Sequence, residues 1–284
     1  MEIINYKKYG KCLKISNGSN NLYVTLEVGP RIIFFGEDEN IFYEDLEDHI
    51  NKDVSTFHST FKKDDKWHIY GGHRLWKAPE DNLTYYPDNN TIKYEIEGNK
   101  VIIKAPIETS TLLEKHIIIE SLDNGDFSVT NRVINRGEEA VKIAAWGLSV
   151  CKPSGQVVVD YTNIEGEYLP NRSISLWPYS NILDKRIVIN NDSVIINIEK
   201  EEEASKEPFK IGFYIKNGIV SYKMDNGKVF SKSIKANKNF DYPDYGSNLE
   251  IYTINWMVEI ETLSNFKNLK KDEYVEINEI WSLR

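Results

Sequence analysis

The chain has few cysteines and no long apolar run. Its 284 residues include two cysteines, Cys12 and Cys151, and neither stands in a CxxC or other ligand spacing. Isolated cysteines argue against a disulfide framework and are typical of a reducing compartment. No run approaches the roughly 18 apolar residues of a membrane span, and the first residues lack the apolar centre of a signal peptide. We therefore expect a cytoplasmic protein with no membrane partner.

The chain also lacks an excess of positive charge. It carries 35 lysines and arginines against 44 aspartates and glutamates, a net charge of −9. This balance disfavours nucleic acid as a partner. The five histidines show no HxH or HExxH spacing, so we expect neither a metal site nor a cofactor. A monomer and a homodimer both remain open.

What the sequence does contain is a series of short alternating segments typical of β-strands. Turn signals such as Gly98-Asn99 separate them, and residues 112–150 are interpreted as a meander of three strands. Its last strand, 140–150, is too apolar for a sheet edge, so we expect it to be central. No repeat, low-complexity block or linker interrupts the chain. The sequence therefore predicts one domain over 1–284, all-β, a large antiparallel β-sandwich with few short helices.

Residues 66–88 show neither a strand nor a helix period, and we interpret them as a loop. The segment holds Trp67, Trp76, His73, Arg74 and Glu80. Aromatic faces beside charged groups suit a sugar, because its ring stacks on them while its hydroxyls form hydrogen bonds. In the alternative interpretation the tryptophans cap one end of a core and Glu80 anchors the loop.

A strand predicted at 256–262 carries two carboxylates. Glu259 and Glu261 share one face with Met257, while Trp256 faces the other side with Val258. A rise of about 3.3 Å per residue puts the carboxylates roughly 6–7 Å apart. A carboxylate in a partly desolvated pocket has a raised pKa and can act as a general base. The alternative is a solvent-facing pair.

Other candidate residues lie near the two ends of the chain. Asn248 and Glu250 share a face of a predicted strand and could line a ligand, and Asp244 precedes them in a turn. Asp244 could instead cap that turn, and Glu250 could pair with an arginine inside the fold. Arg31 opens an apolar strand, where it is either an ion-pair partner or a pocket residue.

Together these segments resemble the galactose-mutarotase-like superfamily, in particular an uncharacterised branch of aldose-1-epimerase-like proteins. The resemblance covers nearly the whole chain in order. It rests on Val-Gly-Pro-Arg-Ile at 28–32, Gly-Gly-His-Arg-Leu-Trp-Lys-Ala-Pro-Glu at 71–80, Tyr-Pro-Asp-Tyr-Gly-Ser-Asn-Leu-Glu-Ile-Tyr at 242–252, Val-Glu-Ile-Glu-Thr at 258–262, and the ending 269–281.

The resemblance implies a β-supersandwich with a concave sugar-binding face. It also implies a late glutamate that takes the anomeric proton, matching Glu259 with Glu261 as competitor. An early sugar-binding histidine matches His73, and an early arginine matches Arg31 or Arg74. The chain departs from the family at the acid histidine, whose place is taken by Trp146. Tryptophan cannot transfer a proton to a ring oxygen, although it can stack on a sugar.

The leading hypothesis is therefore an aldose-1-epimerase-like isomerase acting on a small sugar or sugar phosphate without a cofactor. In this hypothesis His73 is the acid and Glu259 the base. Arg74 and Glu250 bind the sugar, and Trp76 or Trp146 stacks on it. A sugar-binding protein without turnover is the alternative, and glycoside cleavage by Glu259 and Glu261 ranks last because both carboxylates come from one strand.

Overall fold

Two large sheets form the molecule. The computed structural model describes residues 1–160, 168, 171–200, 205–236 and 241–284. Short 3-10 helices cover Lys7–Tyr9 and Asn82–Tyr85, and one helical turn, α1, covers Pro243–Gly246. The strands are, in chain order, β1 (Glu2–Asn5), β2 (Lys11–Asn17), β3 (Asn20–Thr25), β4 (Ile32–Gly36), β5 (Asn51–Asp53), β6 (Lys66–His68), β7 (Gly72–Ala78), β8 (Lys93–Glu97), β9 (Lys100–Lys104), β10 (Leu113–Ser121), β11 (Phe127–Asn135), β12 (Val141–Cys151), β13 (Gln156–Asp160), β14 (Ile174–Leu176), β15 (Ile187–Ile189), β16 (Ser193–Asn197), β17 (Phe209–Phe213), β18 (Asn217–Lys223), β19 (Val229–Lys235), β20 (Leu249–Ile254), β21 (Met257–Leu263), β22 (Lys267–Leu269) and β23 (Tyr274–Leu283).

The front sheet runs β1-β2-β3-β4-β7-β12-β21-β20-β17-β14, with β22 pairing to β12. The back sheet runs β15-β16-β13-β18-β19-β23-β11-β10-β9-β8, and β5 with β6 forms a small third sheet. The neighbouring strands are antiparallel. The predicted all-β antiparallel sandwich with few helices is confirmed. None of the helices among the described residues has the length and hydropathy needed to cross a membrane.

The main core lies between the two sheets. Phe35 of the front sheet meets three aromatic residues of the back sheet, with its ring centroid 5.9 Å from Phe127, 5.6 Å from Phe230 and 5.8 Å from Trp281. Buried aliphatic side chains of both sheets surround these rings. This apolar contact fixes one face of the front sheet against the back sheet.

A second apolar cluster covers the opposite, outer face of the front sheet. It includes Trp67, Trp76, Trp146, Leu148 and Met257. The central strands of the front sheet are therefore buried on both faces, which explains why β12 is apolar throughout. The prediction that this strand is central is confirmed, because β12 pairs with β7 and β21.

The loop interpretation of 66–88 is wrong for β6 and for β7, and β7 is a buried central strand. All seven of its residues are buried. His73 meets main-core groups on the inner side, whereas Arg74 and Trp76 border a cleft on the outer side. Because both faces of β7 are buried, its sequence shows no polar–apolar alternation. Periodicity alone therefore does not reveal this strand. Gly72 has a φ of +65°, and a Cβ there would lie 2.3 Å from the Ile32 carbonyl oxygen.

Candidate functional site

A cleft of about 480 Å³ opens on the outer face of the front sheet. Its floor comes from β7, β12, β21, β20 and β17, and its walls come from the connections around them. Alternation along β21 turns Met257, Glu259 and Glu261 toward the cleft, while Val258 and Ile260 join the main core. Trp256 was predicted on the face opposite Glu259, but it precedes β21 in a turn and also lines the cleft.

An arginine and a carboxylate form the first charged pair of the cleft. Arg74 Nη2 lies 2.9 Å from Glu259 Oε1. The contact is close, yet its angles do not satisfy a hydrogen bond, and Glu259 Oε1 has no other partner. The guanidinium carbon lies 4.3 Å from the Trp76 ring centroid. This stacking holds the guanidinium in place while leaving its edge available.

A lysine between two carboxylates forms the second charged group. Lys210 Nζ lies 2.7 Å from Glu250 Oε2 and donates a hydrogen bond of 3.0 Å to Glu261 Oε2. Trp146 Nε1 donates to the same Glu261 oxygen at 2.9 Å. Glu250 and Glu261 are fully buried, whereas the ammonium of Lys210 reaches the cleft.

The protonation of this trio follows from burial and charge balance. Burial alone would lower the pKa of Lys210, but the Glu261 and Glu250 carboxylates together outweigh it and raise that pKa above its ordinary value. Burial also raises the pKa of Glu250 well above its ordinary value, and that of Glu261, against the attraction of Lys210. One ammonium cannot neutralise two buried carboxylates, so Glu250 and Glu261 titrate as a coupled pair, with pKa values raised above the ordinary range.

Unpartnered polar atoms are concentrated here. Among the described residues, ten buried side-chain nitrogen and oxygen atoms have no hydrogen-bond partner, and seven belong to Trp67, Arg74, Glu250, Glu259 and Glu261. Buried polar atoms are normally paired, and orphaned ones cost about 1–3 kcal/mol each. A cluster of them is expected where a polar ligand completes the hydrogen bonds.

Aromatic rings surround the charged groups. The Trp76 and Trp146 rings meet edge to face at 5.5 Å, and Lys210 Nζ lies 4.6 Å from the Trp177 ring centroid. Half-buried rings of Tyr85 and Tyr252 also line the cleft. Apolar ring faces next to hydrogen-bonding groups are the usual composition of a small-molecule site.

A second cleft, of about 570 Å³, lies elsewhere on the molecule and includes Ile219, Ile234 and Asn278 in its lining. None of the ten unpartnered buried atoms belongs to its lining. The larger volume therefore comes without buried polar atoms that wait for a hydrogen-bond partner. No group of three or more His, Cys, Asp and Glu side chains that could hold a metal ion occurs in the described parts of the chain.

Comparison with known proteins finds relatives in structure only. No protein-family model and no curated protein matches this sequence. A galactose mutarotase-like protein from Lactobacillus casei ATCC 334 superposes with a TM-score of 0.57 at 8% identity, over 96% of this chain and 100% of that chain. One from Clostridium acetobutylicum gives 0.54 at 12% identity, over 100% and 98%. A candidate aldose 1-epimerase from Escherichia coli K12 gives 0.56 at 9%, over 96% and 98%. This chain has the galactose-mutarotase-like fold. Identities this low carry the fold and not an activity.

His73 faces the interior of this mutarotase-like sandwich and does not line the cleft. Its Nε2 lies 2.9 Å from Asn131 Oδ1 and its Nδ1 lies 2.9 Å from Ser149 Oγ. Its ring packs edge-on against Trp281 at 4.8 Å. Burial lowers the pKa of His73 to about 4. The expected acid role does not fit this position, because alternation along β7 turns His73 away from the face that Arg74 occupies.

Three other predicted residues also lie outside the cleft. Arg31 pairs with Asp88, with Nη1 2.5 Å from Asp88 Oδ2, as its ion-pair alternative stated. Asn248 bridges the backbone of Ile215, accepting at 2.8 Å and donating at 2.7 Å. Asp244 accepts hydrogen bonds through its carbonyl and does not border the cleft.

The cleft does bring together residues from distant predicted segments. Arg74, Trp76, Glu80, Trp146, Glu259 and Glu261 all line it, and Glu250 stands beside Glu261 on the neighbouring strand β20. Glu80 accepts a hydrogen bond from the Tyr85 hydroxyl at the mouth. The predicted arginine partner of Glu250 is instead Lys210.

Sequence reasoning missed Lys210, Trp177 and Tyr179. Lys210 is the one charged residue of β17. A lysine in an otherwise apolar strand is a signal that could have identified it. Trp177 and Tyr179 come from the connection after β14 and show no periodic pattern.

The buried neutral His73 makes stability depend on pH. The folded pKa of about 4 lies below the ordinary 6.5, so the folded state binds fewer protons and stability falls as pH drops from 6.5 toward 4. Between pH 7 and 5 this amounts to about 2 kcal/mol. His73→Gln should unfold more easily at pH 7 but lose less stability on acidification, measured by urea unfolding. The matched control, exposed His49→Gln, should keep the wild-type pH slope; equal slopes in all three proteins would contradict the account.

Proposed function

We propose that the cleft binds a sugar and interconverts its anomers by acid–base proton transfer. One observation carries the proposal: the buried polar atoms that lack partners gather around Arg74, Glu259 and Glu261, inside an aromatic wall. Sugar hydroxyls both donate and accept, so they can complete an arginine and a carboxylate at once. The aromatic rings offer faces for the apolar side of the sugar.

Glu259 is the base in this proposal. It is the more open of the two β21 carboxylates, with 9% of its side chain exposed against 1% for Glu261. Its side chain lines the cleft beside Arg74, and in this proposal the anomeric hydroxyl of a sugar donates to its carboxylate. As that proton moves to Glu259, the bond between C1 and the ring oxygen breaks and C1 becomes an aldehyde. Arg74 stays beside Glu259 and holds it in position.

Lys210 supplies the other proton. Its ammonium reaches the cleft and donates to Glu261 with one of its three hydrogens. Another can donate to the ring oxygen, which takes the proton as the ring opens. The C1–C2 bond then rotates. On closure the new C5 hydroxyl returns its proton to Lys210, and Glu259 returns its proton to the new anomeric oxygen. The cycle ends with every proton restored.

Glu261, Glu250 and Trp146 are positioning residues. Glu261 binds Lys210 and Trp146 through one oxygen, which fixes the ammonium and the indole relative to each other. Glu250, beside Glu261 on β20, contacts the same ammonium at 2.7 Å. These contacts direct the lysine toward the cleft and place a ring face next to it.

The second candidate function is sugar binding without turnover. It is favoured by the lining of the cleft, whose described residues include no histidine. Glycoside cleavage is less favoured, because Glu261 is buried and already paired and does not stand opposite Glu259 across a bond.

An unphosphorylated sugar fits the charges better than a sugar phosphate. The two buried cations of the cleft, Arg74 and Lys210, each contact a carboxylate. A phosphate would have to compete with these carboxylates for the same cations.

The cytoplasmic location remains a prediction. The oligomeric state, monomer or homodimer, also remains a prediction.

The base assignment predicts the behaviour of Glu259→Gln. The amide keeps the size of the side chain but cannot accept the anomeric proton, so anomer exchange should fall by about 10²-fold or more. Exchange is measured by NMR saturation transfer on α-glucose, α-galactose and their 6-phosphates, with the free sugars exchanging faster than the phosphates.

The control for this substitution is Glu97→Gln, an exposed glutamate of the back sheet. It should exchange anomers at the wild-type rate. Chemical-shift changes with wild-type protein but no exchange above buffer would replace the isomerase with the binding function. Anomer exchange at the wild-type rate in Glu259→Gln would rule out Glu259 as the base.

The acid assignment predicts a pH profile. Since Glu261 and Glu250 hold the pKa of Lys210 above its ordinary 10.5, the ammonium stays protonated as pH rises from 7 to 9.5. The buffer-corrected kcat/KM should therefore change by less than roughly twofold over that range. Lys210→Arg keeps the charge but cannot release a proton, and it should lose exchange. A tenfold fall per pH unit from pH 7 would instead indicate an acid that titrates like histidine.

A further inference from the structure

The cleft extends beyond the place where one sugar ring would react. Glu259 lies on β21, and the front sheet continues from there through β20 and β17 to β14. Three strand steps of about 4.8 Å make this part of the floor roughly 14 Å wide. A single pyranose ring placed over Glu259 and Lys210 leaves the far end, toward β14, unfilled.

An aromatic and apolar rim stands at that far end. The rim, residues 176–183, follows β14, and Trp177 and Tyr179 of the rim line the cleft. Tyr179 is 48% exposed and Leu183 is 85% exposed. Exposed apolar side chains beside a cleft are typical of a surface that contacts a ligand.

The rim is fixed to the sheet next to Lys210. The backbone N–H of Lys210 donates to Ser180 Oγ at 2.8 Å, and Ser180 N–H donates to the Trp177 carbonyl at 2.9 Å. Trp177 also packs close to Gly212 of β17, where a Cβ would lie 3.3 Å from Trp177 Cζ3. The Trp177 ring is thus held in place before any ligand arrives, which reduces the entropy cost of binding.

The proposed reaction fixes the direction in which a longer ligand would run. With the anomeric hydroxyl on Glu259 and the ring oxygen on Lys210, the ring continues from its oxygen to C5, C6 and C4 on the side of the rim. Atom O2 lies next to C1 on the opposite side. A sugar joined through O4 or O6 therefore places its second ring on Trp177 and Tyr179, whereas one joined through O2 does not.

We propose that the rim is a second sugar subsite, and that the preferred substrate is the reducing end of a disaccharide or longer oligosaccharide joined through O4 or O6. The proposal rests on the proposed function for the orientation of the first ring. The stacking surface and its fixed geometry are independent of that function.

The test compares maltose, lactose and isomaltose with glucose and with the 2-linked disaccharide kojibiose. Dissociation constants come from NMR titration and anomer exchange from saturation transfer. The 4- and 6-linked disaccharides should bind about tenfold more tightly than glucose or kojibiose. Tyr179→Ala should remove most of that advantage, so that maltose binds the variant no more tightly than glucose does.

The matched control is Tyr94→Ala, a partly exposed tyrosine on the edge strand of the back sheet. It should keep the disaccharide preference. Glucose binding as tight as maltose, or equal loss in both tyrosine variants, would overturn the second subsite. Disaccharide preference without any exchange would keep the subsite and reject the isomerase. Exchange without a disaccharide preference would keep the isomerase and reject the subsite. If no sugar bound at all, both the isomerase and the subsite would be rejected.

Discussion

Buried carboxylates must be paired with cations, and this constraint organises the centre of the front sheet. β21 is covered on both faces, yet it carries Glu259 and Glu261 on its outer face. An arginine from β7 reaches the first, and a lysine from β17 reaches the second. These pairs cross the strands between β7 and β17, so the charges can be satisfied only when the sheet assembles in this order. The pairing is incomplete, and the remaining unpartnered atoms make the same place suitable for a polar ligand.

Side chains alternate between the two faces of β7, so one strand carries a structural residue on one face and a cleft residue on the other. His73 and Arg74 are neighbours in sequence, but they lie on opposite faces of β7. His73 belongs to a polar network inside the sandwich, in which Asn131 donates to Glu279 at 3.1 Å and Lys232 lies 3.2 Å from Glu279. Arg74 belongs to the cleft. The candidate acid is therefore a lysine from a strand far along the chain, and not the histidine beside the arginine.

The sandwich was predictable because most strands keep a polar face, and the meander predicted over 112–150 is present as β10, β11 and β12. Glu259 was also accessible to sequence reasoning, since a carboxylate in an apolar strand is conspicuous. β7 was not predictable, because burial on both faces removes the polar–apolar alternation by which a strand is recognised in a sequence. Lys210 is conspicuous as a charge in an apolar strand, but neither its partners nor the rim could be placed. Their role comes from contacts between β17, β20, β21 and the connection after β14, which no local pattern encodes.

The most direct measurement is a crystal structure of Glu259→Gln soaked with maltose. The account predicts a sugar ring over β21, with its anomeric oxygen within hydrogen-bond distance of the side chain at position 259. Its ring oxygen should face Lys210 Nζ, and its second ring should lie against Trp177. A sugar bound in the cleft lined by Ile219 and Ile234, or a ring turned with its anomeric carbon away from β21, would contradict the account.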